Sequence, residues 1–460
     1  MAAPARAAAL RALRLLRTER IDLGDALART RDPLTDIRDR ALATELVVGT
    51  LRWRTALDYQ LQLRSAKPLV RLDADVLDAL RLAAYQLLHL RRVPVSAVVN
   101  DAVALVKAAG YRSAAAFANA VLRRLSRERD ALTWPARPSG ETQTDRAGLV
   151  EHLSIVHSHP DWLVDRWLDR YGIGETETWL AFNNRPPALT LSANRLWGTR
   201  DEVASRLRAE GIETSPTTIA PDGLIVTSGR PIGSNAHQDG AFVIQDEASQ
   251  IIPLIVAASA GHRVLDACAS PGGKTIALSA QTARSGLVVA ADVRWRRMEL
   301  LAATLRRCHA DAVHMIQIAA ASELPFQPAS FDRVLVDAPC SGLGTIRRDP
   351  DIRWRRQPGD LPALRDAQVD LLKRIASAVA GNGRLIYSTC STEPEENEDV
   401  VMRFLATTPG FSVVNVAALS NLPPAIQAMT TGEGYLRTSP RFGLEGFFAA
   451  VLARTVLART

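Results

Sequence analysis

From Gly261 onward, short apolar runs alternate with helical stretches of ten or more residues, and no other feature restricts the fold as much. The runs are Arg263-Val-Leu-Asp, Leu287-Val-Val-Ala, Arg333-Val-Leu-Val-Asp and Arg384-Leu-Ile-Tyr-Ser. They are continuously apolar, so both faces of each strand must be covered. That condition is met by a mostly parallel sheet with helices on both sides. In such sheets, ligands gather at the carboxyl ends of the strands, and the chemically suggestive residues of this chain fall there.

A chain of 460 residues exceeds one comfortable core. Residues 1–130 read as an all-helical domain. Leu42, Leu46, Gly49, Trp53 and Leu57 recur at steps of three and four along one helix from Ala41 to Leu61. Leu77, Leu80, Ala84 and Leu87 repeat the pattern, as do Val99, Ala102, Val103 and Val106. Gly110 offers a stop, and a further helix spans about Ser113 to Arg127. Residues 131–150, rich in Pro, Ser, Gly and Thr, read as a linker. Residues 151–239 form a small α+β segment: a helix from His159 to near Gly172, then strand, helix, strand, strand over 187–228. Residues 240–455 hold the α/β domain.

The hydrophobic fraction of 47% and charged fraction of 23% suit an ordinary soluble chain rather than a disordered one. No run of eighteen apolar residues predicts a transmembrane helix, and arginines at positions 6, 11 and 14 interrupt what a signal peptide would keep apolar. A cytoplasmic location is expected. The net charge is +7, and residues 1–130 alone carry 23 Lys+Arg against 14 Asp+Glu. This basic surplus suits a polyanionic partner, although a solvated arginine-rich surface would look the same. The four cysteines form no CxxC pair and the eight histidines, among them His157 and His159, fall in no zinc-enzyme motif, so no metal is expected.

Three motifs carry chemistry. In Val264-Leu-Asp-Ala-Cys-Ala-Ser-Pro-Gly-Gly-Lys-Thr a strand runs into a glycine turn and a helix, where backbone can approach a ligand closely. Its GGKT ending invites a phosphate-loop reading, but that motif needs glycine where Cys268 stands, so a nucleoside-type cofactor is favoured. Asp292 then ends the next strand, where a carboxylate can accept from ribose hydroxyls. Val334-Leu-Val-Asp-Ala-Pro-Cys-Ser-Gly and Leu385-Ile-Tyr-Ser-Thr-Cys-Ser each put a cysteine just past a buried strand. Either cysteine alone would pass for a small buried hydrophobe. Two of them beside a cofactor turn point to catalysis.

Such a pair suits methylation of cytosine at C5, a poor nucleophile until a thiolate adds at C6. The scheme needs a nucleophile, an acid–base group and something to hold the pyrimidine edge. A helix N-terminus following Cys390 is expected to favour its thiolate.

At these residues the chain resembles the RsmB (Sun/Fmu) family of bacterial small-subunit rRNA cytosine-C5 methyltransferases. The resemblance covers nearly the whole chain. Asp39-Arg-Ala-Leu-Ala-Thr-Glu-Leu-Val-Val-Gly-Thr-Leu-Arg-Trp, Leu82-Ala-Ala-Tyr-Gln-Leu-Leu and Asn119-Ala-Val-Leu-Arg-Arg-Leu are similar to the family's NusB-like RNA-binding domain. Gln245-Asp-Glu-Ala-Ser-Gln is similar to the motif that precedes its catalytic domain. The likeness implies a Rossmann-like class I methyltransferase domain, an RNA-recognition-like middle segment and S-adenosylmethionine as cofactor. It implies that Cys390 attacks C6 and that Cys340 assists elimination. Cys268, Ala269, Ser270, Pro271, Gly272, Gly273, Lys274, Asp292 and Asp337 would line the cofactor and target pocket, Asp337 touching the methyl donor or the cytosine edge. The implied partner is 16S rRNA, free or in an assembling small subunit, at the cytosine conventionally numbered 967; the implied state is a monomer. Two positions depart from the family: Ala320 stands where an adenine-contacting acid is usual, with Glu323 nearby, and Glu445 replaces an Asp before the closing strand. The same chemistry on tRNA or another rRNA site is the rival reading, and a non-catalytic RNA-binding assembly factor is a more distant one. The intact cysteines and GGKT argue against the latter.

Overall fold

The N-terminal periodicities fold as helices in the computed structural model, which describes residues 2–19, 21–139, 142–283, 285–319, 323–420 and 422–455. These are α1 (Pro4–Glu19), α2 (Leu23–Arg31), α3 (Ile37–Arg52), α4 (Arg54–Gln62), α5 (Ala74–His89), α6 (Val95–Ala108), α7 (Ala115–Glu128), α8 (Gln143–Val156) and α9 (Asp161–Asn184). Leu46, Val47, Leu57, Leu61, Leu80 and Leu122 are wholly buried in one core. Each such side chain is worth roughly 1.5–3 kcal/mol when taken out of water. Gly49 lies on the buried face because the Tyr85 ring occupies the space a Cβ would need.

The helix expected over 41–61 is two helices. Trp53 leaves helical geometry at φ −108°, ψ 16° between α3 and α4, and its indole stacks on His89 with ring centroids 4.9 Å apart. The expected linker also ends early, at Thr142, whose hydroxyl caps α8 by accepting from the Asp145 amide. Gly172 interrupts α9 at φ 73°, ψ 178°, but the helix resumes because Trp179, Leu180 and Phe182 extend its buried face.

The chain divides into two compact units, Met1–Pro186 with Ile346–Arg356, and Pro187–Thr345 with Gln357–Thr460. By contacts, therefore, 151–186 sits in the helical unit rather than with the small sheet. The second unit opens with β1 (Thr190–Ala193), α10 (Arg200–Ala209), β2 (Glu213–Pro216), β3 (Gly223–Ser228), α11 (Asn235–Gln238) and β4 (Phe242–Ile244). The four strands pair in the order β2-β3-β1-β4, all antiparallel. Since β4 pairs with β1, the small sheet runs past the expected boundary at residue 239.

Then follow α12 (Glu247–Val256), β5 (Arg263–Asp266), α13 (Gly273–Gln281), β6 (Leu287–Asp292), α14 (Trp295–Arg307), β7 (Val313–Gln317) and β8 (Phe331–Asp337). After α15 (Ile352–Arg355) come α16 (Asp360–Ala376), β9 (Val379–Thr389), α17 (Glu398–Thr407), β10 (Phe411–Val414), α18 (Pro424–Gln427), β11 (Leu436–Arg437) and β12 (Phe448–Arg454). The large sheet runs β10-β12-β9-β8-β5-β6-β7, with β11 on β12. Strands β7, β6, β5, β8 and β9 are mutually parallel, and β12 returns antiparallel on β9. This is the Rossmann-like arrangement, with the carboxyl ends of β5, β6, β8 and β9 along one edge.

Residues 346–356 belong to the helical unit although they come from the middle of the α/β sequence. Arg353, fully buried, anchors them. Its guanidinium donates to the carbonyls of Ser158 (2.7 Å), Arg52 (3.3 Å) and Asn183 (3.4 Å) and to the Asn184 side-chain oxygen (3.1 Å). Burial, reinforced by the charge of Arg52, pushes its pKa well below the arginine range. The Trp354 indole donates to the Leu51 carbonyl at 2.7 Å. A lysine at 353 lacks the fork that satisfies several acceptors at once. Arg353→Lys is therefore expected to cost about 1–3 kcal/mol, read as a lower urea midpoint; an unchanged midpoint would show that the buried fork contributes nothing.

Candidate active site

Parallel pairing brings the two cysteines together. Asp337 at the end of β8 lies opposite Ser388 on β9, and the Ser388 hydroxyl donates to Asp337 Oδ1 at 2.8 Å. Cys340 follows three residues after Asp337 and Cys390 two after Ser388, so both thiols emerge at the same level. Their Sγ atoms are 3.3 Å apart, too far for the roughly 2.05 Å of a disulfide, so the two are thiols not joined by a disulfide. Hydrogen bonding to Cys390, then burial, then the charges of Cys390 and Glu396 push the Cys340 thiol well above its ordinary pKa. Cys340 is thus a proton-holding thiol beside Cys390.

Glu396, wholly buried, braces both cysteine loops. Its Oε1 accepts from the Ser341 amide (2.7 Å) and Gln368 Nε2 (3.0 Å), and its Oε2 accepts from the Ser391 hydroxyl (2.5 Å). The Ser341 and Ser391 hydroxyls lie 3.1 Å apart. The Tyr387 hydroxyl donates to the Glu396 carbonyl at 2.5 Å. Gly344 passes so close to the Cys390 loop that its amide donates to the Cys390 carbonyl at 2.9 Å, and a Cβ there would overlap the Gly446 carbonyl. The helix start expected at Pro394 is a 3-10 turn, Pro394–Glu396, and the α-helix α17 follows from Glu398.

The glycine turn lies at the end of β5. Gly272, at φ 111°, opens α13 in a conformation that favours glycine. A cavity of about 510 Å³ is lined by Asp266, Cys268, Ala269, Ser270, Pro271, Gly273, Lys274 and Asp337, with Gln245, His237, Ile244, Leu300, Thr304 and Arg307 among its other walls. Lys274 Nζ donates to Asp337 Oδ2 at 2.7 Å. Burial, the largest single influence, lowers the lysine pKa, but the charge and hydrogen bond of Asp337 with the charges of Asp266 and Cys390 together outweigh it, so the net direction is up and the ammonium persists. Asp292 accepts from the backbone of Ser270 (3.3 Å) and Val293 (2.8 Å), tying the turn to β6. Burial first, then the charges of Asp266, Asp337 and Asp292, push the Cys268 thiol up, so this residue offers backbone rather than thiolate. Cys308, buried at the end of α14, is likewise pushed up by burial.

Sequence reasoning missed three residues here. Asp266 is buried, with Oδ2 accepting from the Thr275 hydroxyl at 2.7 Å and Oδ1 lacking any hydrogen-bond partner. Burial, with a smaller push from Asp337, raises its pKa to about 6. As the last residue of β5 before the glycine turn, it was visible as a strand-end carboxylate. Ser388 and Glu396 reach the two cysteine loops only through register and folding. Ala320 lies outside the described residues; Glu323 is exposed, and Glu445 is wholly buried.

Comparison with known proteins fits this geometry. Residues 253–453 match the family model described as 16S rRNA methyltransferase RsmB/F, residues 3–127 the NusB family, and residues 159–233 the RsmF/B-like ferredoxin-like domain. The chain is 34% identical over 414 residues to the probable ribosomal RNA small subunit methyltransferase B of Bacillus subtilis, covering 89% of this chain and 90% of that one. It is 33% identical to ribosomal RNA small subunit methyltransferase B of Pseudomonas putida over 456 residues, covering 99% of each. The crystal structure of PH0851 has the same fold, with a TM-score of 0.78 at 24% identity, covering 98% of this chain and 99% of that one.

Two outcomes are expected. From roughly pH 4 to 6 the folded state keeps a proton on Asp266 that an unfolded carboxyl, with pKa near 3.9, gives up. Stability from this group therefore falls as pH rises through that window and stays low above it. Asp266→Asn should raise the melting temperature at pH 7.5, and the gain should vanish below about pH 4; an equal gain at both pH values would disprove the cause. Glu396→Ala should lower kcat by about a hundredfold by letting the thiols drift, with both measured by initial-rate kinetics and a circular-dichroism melt to separate misplacement from unfolding.

Proposed function

The chain belongs to the RsmB/F family of 16S rRNA methyltransferases, and from that premise we propose that it methylates C5 of a cytosine in 16S rRNA through a covalent bond between Cys390 and C6. The observation that carries the reading is the 3.3 Å pair of thiols at the ends of β8 and β9, beside the Lys274–Asp337 ion pair.

The cofactor is S-adenosylmethionine, which supplies an electrophilic methyl group on a cationic sulfonium. The residues present suit it. The unpartnered, buried Oδ1 of Asp266 is an acceptor for its ammonium group, the backbone of Cys268–Gly273 allows close approach, and Asp292 offers acceptors to ribose hydroxyls. Asp337, held by Lys274 and Ser388, meets the amino edge of the target cytosine.

The thiolate of Cys390 bonds to C6, and the electrons of the C5–C6 double bond make C5 nucleophilic. Once C5 carries the methyl group, the C5 proton passes to solvent water, its bonding electrons restore the C5–C6 double bond, and the C6–S bond breaks with its electron pair going to the Cys390 sulfur. Cys340, whose thiol holds its proton, supports this elimination next to the leaving sulfur. The base must leave its stack to reach the thiols, so the substrate is a loop or a partly unpaired helix.

Cys340→Ala should accumulate a protein–RNA adduct that survives a denaturing gel when incubated with S-adenosylmethionine and 16S rRNA. Cys390→Ala and the double variant should give neither adduct nor methylated RNA. An adduct in Cys390→Ala would reverse the roles of the two cysteines. Wild type that methylates tRNA but not 16S rRNA would transfer the same chemistry to the rival substrate.

A further inference from the structure

One face of α14 borders the cavity that holds Lys274 and Asp337, and it has no task in the scheme above. The helix buries Met298, Leu301 and Leu305. Leu300, 53% exposed, faces away from them, and Trp295, 65% exposed, stands on the flank one turn before Met298. Residues 294–307 carry five arginines, Arg294, Arg296, Arg297, Arg306 and Arg307, against the single acid Glu299. Leu300, Thr304 and Arg307 line the cavity that also contains Lys274 and Asp337. Arg296 lies one helical turn before Leu300, and Trp295 about 7.5 Å of helix axis before it.

This wall is fixed to its surroundings. Asn194 Nδ2 donates to the carbonyls of Gly240 (2.8 Å) and Cys308 (2.9 Å). Arg307 Nη1 donates to those of His237 (3.0 Å) and Phe242 (3.1 Å). The small sheet and α14 therefore form one rigid border, with Ile244, 46% exposed, on the sheet side of the cavity. The Trp295 indole donates to Glu299 at 2.9 Å, which restrains the ring on its exposed helix.

An exposed, restrained aromatic and arginines on a helix that also walls the cavity beside Lys274 and Asp337 suit an unpaired nucleic-acid strand, because rings stack bases and guanidinium groups meet phosphates. We propose that this face of α14 binds the single-stranded RNA flanking the target cytosine, with Trp295 stacking a neighbouring base and Arg296 meeting a phosphate. The proposal rests on the RNA methyltransferase reading above and adds the surface by which the catalytic unit guides the strand. It favours RNA over a protein partner because the exposed apolar groups are set among an excess of four positive charges within residues 294–307.

The test measures RNA binding apart from methylation. Fluorescence anisotropy of a labelled, single-stranded 16S rRNA oligonucleotide containing the target loop would be recorded for wild type, Trp295→Ala, Trp295→Phe and Arg296→Ala across a salt series. Trp295→Ala should weaken binding about tenfold and Trp295→Phe should recover most of it, since a phenyl ring still stacks. Arg296→Ala should reduce the slope of log K against log salt by about one. In methylation assays the variants should raise KM for RNA, leave kcat unchanged and leave S-adenosylmethionine affinity unchanged. Unaltered RNA binding in both alanine variants overturns the proposal. So does a loss confined to cofactor affinity, which would place Trp295 against the adenine, or a change in sedimenting mass, which would make the patch a contact between copies. If wild type binds RNA through Trp295 but methylates nothing, the catalytic reading fails and this surface stands. If wild type methylates 16S rRNA and the variants bind it equally well, only this surface fails.

Discussion

Asp337 faces Ser388 across the β8–β9 ladder, and most distances in the site follow from that pairing. In a parallel pair a slip of one residue turns every side chain to the other face. With the register as it stands, the Ser388 hydroxyl reaches Asp337, Lys274 takes the other carboxylate oxygen, and the loops after both strands start level. The cysteines then need only short loops to meet. The burial of Val334, Val336, Leu385 and Tyr387 holds the register, because slipping either strand would expose apolar groups to water.

Register alone would leave two loops free to move, and the buried carboxylate of Glu396 removes that freedom. It accepts from the residue after Cys340 and the residue after Cys390. A charge so placed is costly unless its lone pairs are filled, and here the Ser341 amide, Gln368 and the Ser391 hydroxyl fill them. The same negative charge adds to the forces that keep Cys340 protonated. Fixing the loops and setting the proton inventory are thus two consequences of one side chain.

How much of this could be read from the sequence depended on whether the signal was local. The parallel sheet was legible because fully covered strands must be continuously apolar, and the cysteine loops because each follows such a run. The turn at Gly272 was legible because its chemistry lies within a few residues. What escaped was non-local. The break at Trp53 is coupled to His89, far along the chain, while every apolar position from Leu42 to Leu57 still fits one helix. The passage of α9 beyond Gly172 depends on burial of Trp179 and Phe182. Arg353 reads as a surface arginine until the carbonyls of Ser158 and Asn183 are placed around it. Glu396 reads as one acid in a run of acids, and only the fold distinguishes it from Glu395.

Charge changes sign between the floor of the cavity and its border. Asp266, Asp292 and Asp337 stand at the ends of three neighbouring strands, with Lys274 paired to one of them. Burial, with a smaller push from the Asp337 charge, strains Asp266 and raises its pKa. A cationic cofactor relieves that strain on binding, whereas an RNA phosphate would worsen it. Of the α14 arginines, Arg297 lies 3.8 Å from Asp292, and Arg296 stands on the face of the helix that carries Leu300, where the proposed phosphate contact is made. A nucleotide entering past them meets attraction for its backbone at the rim and repulsion for its backbone at the floor. On the proposed route, the uncharged base is then the part of the nucleotide that goes furthest in, towards Asp337.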